Sequence, residues 1–300
     1  MNTVSPIFKD PNLQSAFETE GFVKVSLLSI GQVDQLQLLF NETSAQHALV
    51  KGLHHTTTDT QDPTLIYKVD SRIKEIFLPE LDKLLIDYKP LVGSFHIKEP
   101  GTGSGTGTHQ DPTFVDESKY CSANIWVAMH DMNSNNGNMY FVNGSNRAIT
   151  SLRVTPGYPS YYQSFSNYLA ENATQVPLKK GEAVIFNNAT IHGATDNLTD
   201  KIRLACTLMV CNKPADWLLY FQPKGAPNDN IEKYVLDLES FVTMPKDGRP
   251  DKRTFSEFIA YDYPQITKEE FLKRVGKPQP ASGGYFKRIM NVFKVKDSVQ

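Results

Sequence analysis

The chain has 300 residues, 40% of them hydrophobic, with 31 Lys and Arg set against 33 Asp and Glu for a formal net charge of −2. That length suits one large β-barrel domain with appended helices or two small domains, and the apolar content is enough for a sizeable core. Balanced, interspersed charge gives no basic stripe for nucleic acid, no apolar run reaches the roughly 18 residues of a membrane span, and Met1 to Pro6 lacks the regions of a secretory signal, so a cytoplasmic protein without nucleic-acid or membrane partners is expected.

Residues 10–90 read as mainly helical. Val33, Leu36 and Phe40 make a 3.6-residue stripe that starts after Ser29, a capping residue, and the pattern repeats over residues 73–88 with Pro79 as an interruption. These helices are expected to buttress a sheet. Residues 91–98 read as a strand that includes His96, and the glycine-rich residues 101–107 as a flexible loop leading to His109. This loop lacks the Gly-Lys-Ser/Thr end of a phosphate loop.

Residues 123–129 alternate, with Ala123, Ile125, Val127 and Met129 on one face and Asn124 and Trp126 on the other. If the second face lines a barrel interior, Asn124 and Trp126 touch a ligand there; otherwise Trp126 is core and Asn124 caps a neighbour. Residues 133–137 read as a hairpin turn before a strand over 138–142. Tyr158, Tyr161, Tyr162, Phe165 and Tyr168, with Pro156 and Pro159, form an aromatic cluster that by itself reads as a packed loop. Residues 184–186 and 204–210 read as buried strands. Beyond residue 212 come Pro214, Pro223, Pro227, Pro245, Pro250 and Pro264, a helix-like segment 268–274, and a basic end with Lys287, Arg288, Lys294 and Lys296. Cys121, Cys206 and Cys211 form an odd set without paired spacing, which points to reduced buried thiols.

The chemistry concentrates in His109-Gln110-Asp111, His192 and Arg203. On an extended strand, residues two apart share a face, so His109 and Asp111 would present two ligands together, with His192 brought in by the fold. Two imidazoles and one carboxylate occupy three positions of an octahedral ion and leave three open, the set used by non-haem Fe(II) oxygenases. Arg203 shares its strand face with Ala205, Thr207 and Met209 and needs an anionic partner; the distal His and this Arg are expected near neighbouring strands. A dicarboxylate such as 2-oxoglutarate on the metal would supply that anion.

Four blocks resemble the phytanoyl-CoA dioxygenase family of Fe(II)/2-oxoglutarate oxygenases: residues 17–25, Thr108 to Asp111, residues 136–147, and Lys180 to Phe186 running on to His192 and Arg203. The resemblance covers about residues 15–212. It implies a mainly β chain with flanking helices around a double-stranded β-helix, a jelly-roll of cupin-like type. On that reading residues 1–300 form a single domain, with a helical support (1–90), a β-helix core (91–212) and a C-terminal extension (213–300). It also implies iron on His109, Asp111 and His192, with Arg203 on the distal carboxylate of 2-oxoglutarate. Ala194 stands where a hydroxyl residue often helps bind 2-oxoglutarate, so Thr195 is the candidate for that contact, and His96 is a further candidate pocket residue; His47, His54, His55 and His130 are set aside. Gly181-Glu182 replaces the family's usual Gly-Asp, away from the metal. In the family an insert such as residues 148–176 hangs over the active-site mouth, so the resemblance makes its aromatic cluster the candidate substrate-facing lid.

The expected activity is hydroxylation of an unactivated C–H bond in a small organic substrate, free or linked to CoA or a carrier, with O2 consumed, succinate and CO2 released, and ascorbate as reductant. Asp111 retains the carboxylate that related halogenases lack, which favours hydroxylation. The rivals are a non-catalytic metal-binding barrel and a zinc hydrolase; the second lacks a His-Glu-x-x-His cluster and leaves Arg203 unexplained.

Overall fold

The computed structural model describes residues 4–276 apart from 49, 51, 156–160, 223–229, 246, 247 and 262; for Asn230 it describes the main chain alone. Three helices come first, each started by its own side chain. In α1 (Pro11–Glu20) the Asp10 carboxylate accepts from Asn12 N–H, and Gly21, at φ +88°, closes the last turn onto the Phe17 carbonyl. Ser29 and Gln32 form a reciprocal capping box ahead of α2 (Ile30–His47). Asp62 caps α3 (Pro63–Leu84). This third helix begins ten residues before the expected start and runs through Pro79, because Ile73, Ile76, Phe77 and Leu81 stay buried on one face and outweigh the lost hydrogen bond.

Two sheets follow. The larger comprises β1 (Phe22–Ser26), β2 (His54–Thr56), β3 (Tyr88–Lys98), β5 (Ser122–Ala128), β8 (Glu182–Asn187) and β10 (Arg203–Asn212), and the smaller β4 (Thr106–His109), β6 (Met139–Phe141), β7 (Thr174–Val176) and β9 (His192–Ala194). Their orders are β1-β8-β5-β10-β3-β2 and β4-β9-β6-β7, every pairing antiparallel. From β3 to β10 the chain passes back and forth between the sheets, which is the double-stranded β-helix that was expected. The turn at residues 133–137 is accordingly not a hairpin: β5 and β6 lie in different sheets and do not pair. Strands β1 and β2 also break the expected helical run of residues 10–90.

Strand alternation sorts the core. Phe95, Ile97, Ile125, Val127, Ile185, Leu204, Cys206 and Leu208 face outward onto Val33, Leu36, Val69, Ile73 and Phe77 of the helices. Phe22, Trp126, Ala128, Phe141, Val184, Phe186 and Ala205 fill the space between the sheets. Asn124 and Trp126 therefore belong to the interior face. All three cysteines are free and buried.

The described aromatics of the insert are packed. Tyr161, Tyr162 and Phe165, near α4 (Ser145–Ala148) and α5 (Ser166–Glu171), share a cluster with Ile266 and Phe271 of the C-terminal extension. Large aromatic surface is better satisfied against that extension than in water. The extension adds a sheet, β11 (Trp217–Phe221), β12 (Asn230–Leu236) and β13 (Phe255–Ala260), and the helices α6 (Leu238–Val242) and α7 (Lys268–Val275), the last as expected. Pro156, Tyr158, Pro159, Pro223, Pro227, Lys287, Arg288, Lys294 and Lys296 lie outside the described residues. No helix among the described residues is long and apolar enough to cross a membrane.

Candidate metal centre and anion pocket

His109 and His192 are register partners on the adjacent strands β4 and β9, and their ring centroids lie 4.2 Å apart. Asp111 lies beyond the end of β4, so the two ligands of the His-x-Asp motif do not share a strand face as expected. Main-chain and side-chain bonds hold it instead. Asp111 N–H donates to the Asn188 carbonyl at 3.0 Å, Gln110 Nε2 to the Ala189 carbonyl at 2.6 Å, and Arg153 Nε to the Asp111 carbonyl at 2.6 Å. Arg153 is buried and itself fixed by Glu117. In this position Asp111 Oδ1 is 3.9 Å from His109 Nε2 and 3.8 Å from His192 Nε2, and the three ligand atoms all lie within 4.8 Å of one another.

Each imidazole is aimed from behind. His109 Nδ1 lies 2.9 Å from the Gly107 carbonyl and His192 Nδ1 2.9 Å from the Thr190 carbonyl. A carbonyl only accepts, so both Nδ1 atoms carry a proton and both Nε2 atoms are turned toward Asp111. Burial, then the neighbouring His109, lowers the His192 pKa to about 4, against the opposing pull of Asp111 and the Thr190 carbonyl. Its ring is therefore neutral at physiological pH, as a metal ligand must be. Phe186 and Phe141 enclose it, with centroids 4.6 and 5.9 Å away. The His109 side chain is 41% exposed and that of His192 5%, which puts the open side at His109.

Arg203 starts β10, so it sits on the sheet facing β9 rather than near a neighbouring strand of His192. It is 2% exposed, and its Nε and Nη1 have no partner among the described residues. The guanidinium lies over the Trp126 ring at 5.2 Å from the centroid, an attraction that orients it without consuming its donors. Burial lowers its pKa to about 9.

Of the other expected contacts, Asn124 faces inward with its amide oxygen buried and unpartnered. His96 pairs with Ala205 across β3 and β10 and shares the interior face; burial first, then His54, Arg203 and His192, hold its pKa far down. Thr195 reaches the site through its main chain: its carbonyl accepts from Lys98 Nζ at 2.7 Å, while its hydroxyl donates to Asn138 Oδ1 at 3.3 Å.

Two residues at the site were not anticipated. His54, set aside earlier, keeps an exposed edge but lies 5.9 Å ring to ring from His96, and partial burial, Arg203 and Lys98 lower its pKa to about 4. Lys98 sits two residues after His96 on β3, so strand alternation alone could have placed it on the same face. His47 and His130 serve structure: the first bonds to the Thr43 carbonyl and the Thr57 hydroxyl, and the second accepts from Leu204 N–H through Nε2.

The donor set suits a divalent ion of intermediate softness, and the buried, unpartnered Asp111 Oδ2 and Arg203 are the kind of atoms that a metal and an anion would satisfy. Fold and site together define a jelly-roll protein with a candidate 2-His-1-carboxylate centre. The chain belongs to the phytanoyl-CoA dioxygenase (PhyH) family, whose sequence profile matches residues 33–205. It is 26% identical over 147 residues to phytanoyl-CoA dioxygenase domain-containing protein 1 of Danio rerio, covering 45% of this chain and 50% of that one. It is 28% identical over 187 residues to the peroxisomal phytanoyl-CoA dioxygenase of Homo sapiens, covering 55% and 53%. The chain thus spans about half the length of these curated relatives. Among solved structures it resembles the epimerase SnoN in complex with Fe3+, alpha-ketoglutarate and nogalamycin RO (19% identity, 71% of this chain and 86% of that, TM-score 0.52). It also resembles the non-heme alpha-ketoglutarate-dependent carbocyclase SnoK (15% identity, 84% and 96%, TM-score 0.51). At these identities the structural likeness concerns the fold.

Proposed function

We propose that this protein is an Fe(II)- and 2-oxoglutarate-dependent dioxygenase that hydroxylates a C–H bond of a small organic substrate, free or linked to CoA or a carrier. The observation that carries this reading is the pairing of a convergent His109–Asp111–His192 triad with a buried, unpartnered Arg203 on the opposite sheet. When bound, iron and 2-oxoglutarate supply the oxidising chemistry, with O2 consumed and succinate and CO2 released.

The chain's own residues bind, aim and exclude water. His109 and His192 would offer their Nε2 atoms, and Asp111 a carboxylate whose main chain is held by Arg153 and Asn188. Arg203 would take the distal carboxylate in a two-point contact, steadied by Trp126. Phe141, Phe186, Trp126 and Val184 make the wall behind His192 apolar, which keeps water from that side of the site. The more exposed His109 marks the side from which substrate approaches. A zinc hydrolase would have no use for a buried arginine on the facing sheet, and a non-catalytic metal-binding barrel would need the triad but not that arginine. The test is incubation with Fe(II), 2-oxoglutarate, ascorbate and 18O2 against a panel of candidate substrates. Succinate formation with 18O in the organic product supports the reading; a metal-replete protein that never converts 2-oxoglutarate to succinate overturns it.

A further inference from the structure

Lys98 ends β3, and none of its surface is exposed. It is the register partner of Arg203 on β10, so both side chains leave their strands toward the interior, next to each other. Its ammonium donates to one neutral acceptor, the Thr195 carbonyl at 2.7 Å, and neither Lys98 nor Arg203 has an ion-pair partner among the described residues. The acid that acts on Lys98 is Asp196, and its Oδ1 already accepts from Gly103 and Gly105 N–H at 3.2 and 2.5 Å.

Gly137 lies close against this pair. A methyl group added there would lie 2.9 Å from Lys98 Cδ, 3.3 Å from the Thr195 carbonyl oxygen and 3.4 Å from Arg203 Nε, and its φ of +82° already favours glycine. Two dehydrated cations side by side are unfavourable unless an anion joins them. Burial first and Arg203 second lower the Lys98 pKa to about 7, the cost of that arrangement in the ligand-free protein.

Resting on the cosubstrate reading above, we propose that Lys98 is a second cation for the distal carboxylate of 2-oxoglutarate, so that a lysine–arginine pair rather than Arg203 alone holds that end of the molecule. The carboxylate relieves the repulsion between the two cations as well as meeting their donors. Lys98 therefore contributes to affinity although it touches neither the metal nor the reacting carbon.

The test is an anaerobic titration of the full-length Fe(II) protein with 2-oxoglutarate, following the metal-to-ligand absorption band, for wild type, Lys98→Met, Lys98→Gln and Lys98→Arg, with melting temperatures of the metal-free proteins alongside. We expect Lys98→Met and Lys98→Gln each to need about 10- to 100-fold more 2-oxoglutarate, the range of one lost charge-assisted contact. Lys98→Arg should fall closer to wild type. Metal-free Lys98→Met should melt no lower than wild type, since it removes a buried charge. Wild-type affinity in Lys98→Met overturns the proposal. So does recovery of affinity in Lys98→Gln, whose amide keeps a donor for Thr195 without the charge and would mark a purely structural hydrogen bond. If wild type itself gives no band, the cosubstrate reading fails instead.

Discussion

Arg153 Nε donates to the Asp111 main-chain carbonyl at 2.6 Å, and the rest of its guanidinium is bound by Glu117, so the candidate ligand Asp111 is seated through its main chain by a buried ion pair. Arg153→Met breaks the pair and leaves Glu117 without its partner. We expect a stability loss of about 3 kcal/mol, at the low end for a buried pair because Glu117 keeps some solvent contact. Metal affinity should fall about 10- to 100-fold, as for other residues that support ligands. Urea denaturation and metal titration check the two effects separately.

Alanine at His109, Asp111 or His192 should abolish stoichiometric Fe(II) binding while the far-ultraviolet dichroism stays that of the wild type. The strands that carry the two histidines are paired through main-chain bonds that these changes leave intact. A variant that still binds one equivalent of Fe(II) with wild-type affinity would remove its residue from the triad.

Arg203→Ala should keep its iron yet lose about 2 to 5 kcal/mol of 2-oxoglutarate binding, as when one member of a buried charge pair is truncated. That is roughly 30-fold to several thousand-fold in affinity. Arg203→Lys should lie between, since a point charge replaces the planar fork. Equal dissociation constants for wild type and Arg203→Ala would take the residue out of the cosubstrate site.

Gly193 separates the two imidazole strands from Tyr140. An added Cβ would come within 2.3 Å of the Tyr140 hydroxyl and 2.6 Å of the Thr106 carbonyl oxygen, which is backbone and cannot swing away. Gly193→Ala should cost about 1 to 3 kcal/mol by overpacking and push β9 from β4, weakening metal binding through geometry alone. Undiminished metal affinity in this variant would show that the strands have slack.

Acid should destabilise the metal-free protein before most carboxylates titrate. The folded-state pKa of His192 is lowered to about 4 and that of His96 is also held well below its usual value, chiefly by burial, whereas both return to about 6.5 on unfolding. Between those values the unfolded chain binds protons that the folded chain refuses, so stability present above pH 6.5 is lost as pH falls toward 4. Each histidine contributes a slope of about 1.4 kcal/mol per pH unit. Urea midpoints at pH 7 and pH 5 should show it, with a smaller drop in His96→Gln.

The parts of this architecture that show in the sequence are those fixed by local pattern. Alternation in Ala123 to Met129 and the apolar run from Leu204 to Val210 mark two strands of the larger sheet, and Ser29 marks a helix start. His109, Asp111 and His192 could be picked out because possible metal ligands are chemically unusual in or beside such strands, and the fold brings their ligand atoms within 4.8 Å of one another. Pairing is not local, so nothing in the segment His96-Ile97-Lys98 says that Lys98 lies beside Arg203, or that His54 reaches His96. The separation of β5 and β6 into different sheets was hidden for the same reason, since an Asn- and Gly-rich turn serves a hairpin and a crossing equally well. Proline density in the extension concealed β11 to β13, of which β11 and β12 pack Trp217, Leu219, Tyr234 and Leu236 onto the barrel's Leu91 and Met209.

The metal ligands on strands and the guanidinium belong to opposite walls, with His109 and His192 on the four-stranded sheet and Arg203 on the six-stranded one. A cosubstrate anchored at both ends would act as a rivet through the sandwich. Its span would then fix how far the walls can breathe, and occupancy should slow amide hydrogen exchange in β9 and β10 together, although no hydrogen bond of either strand touches the other.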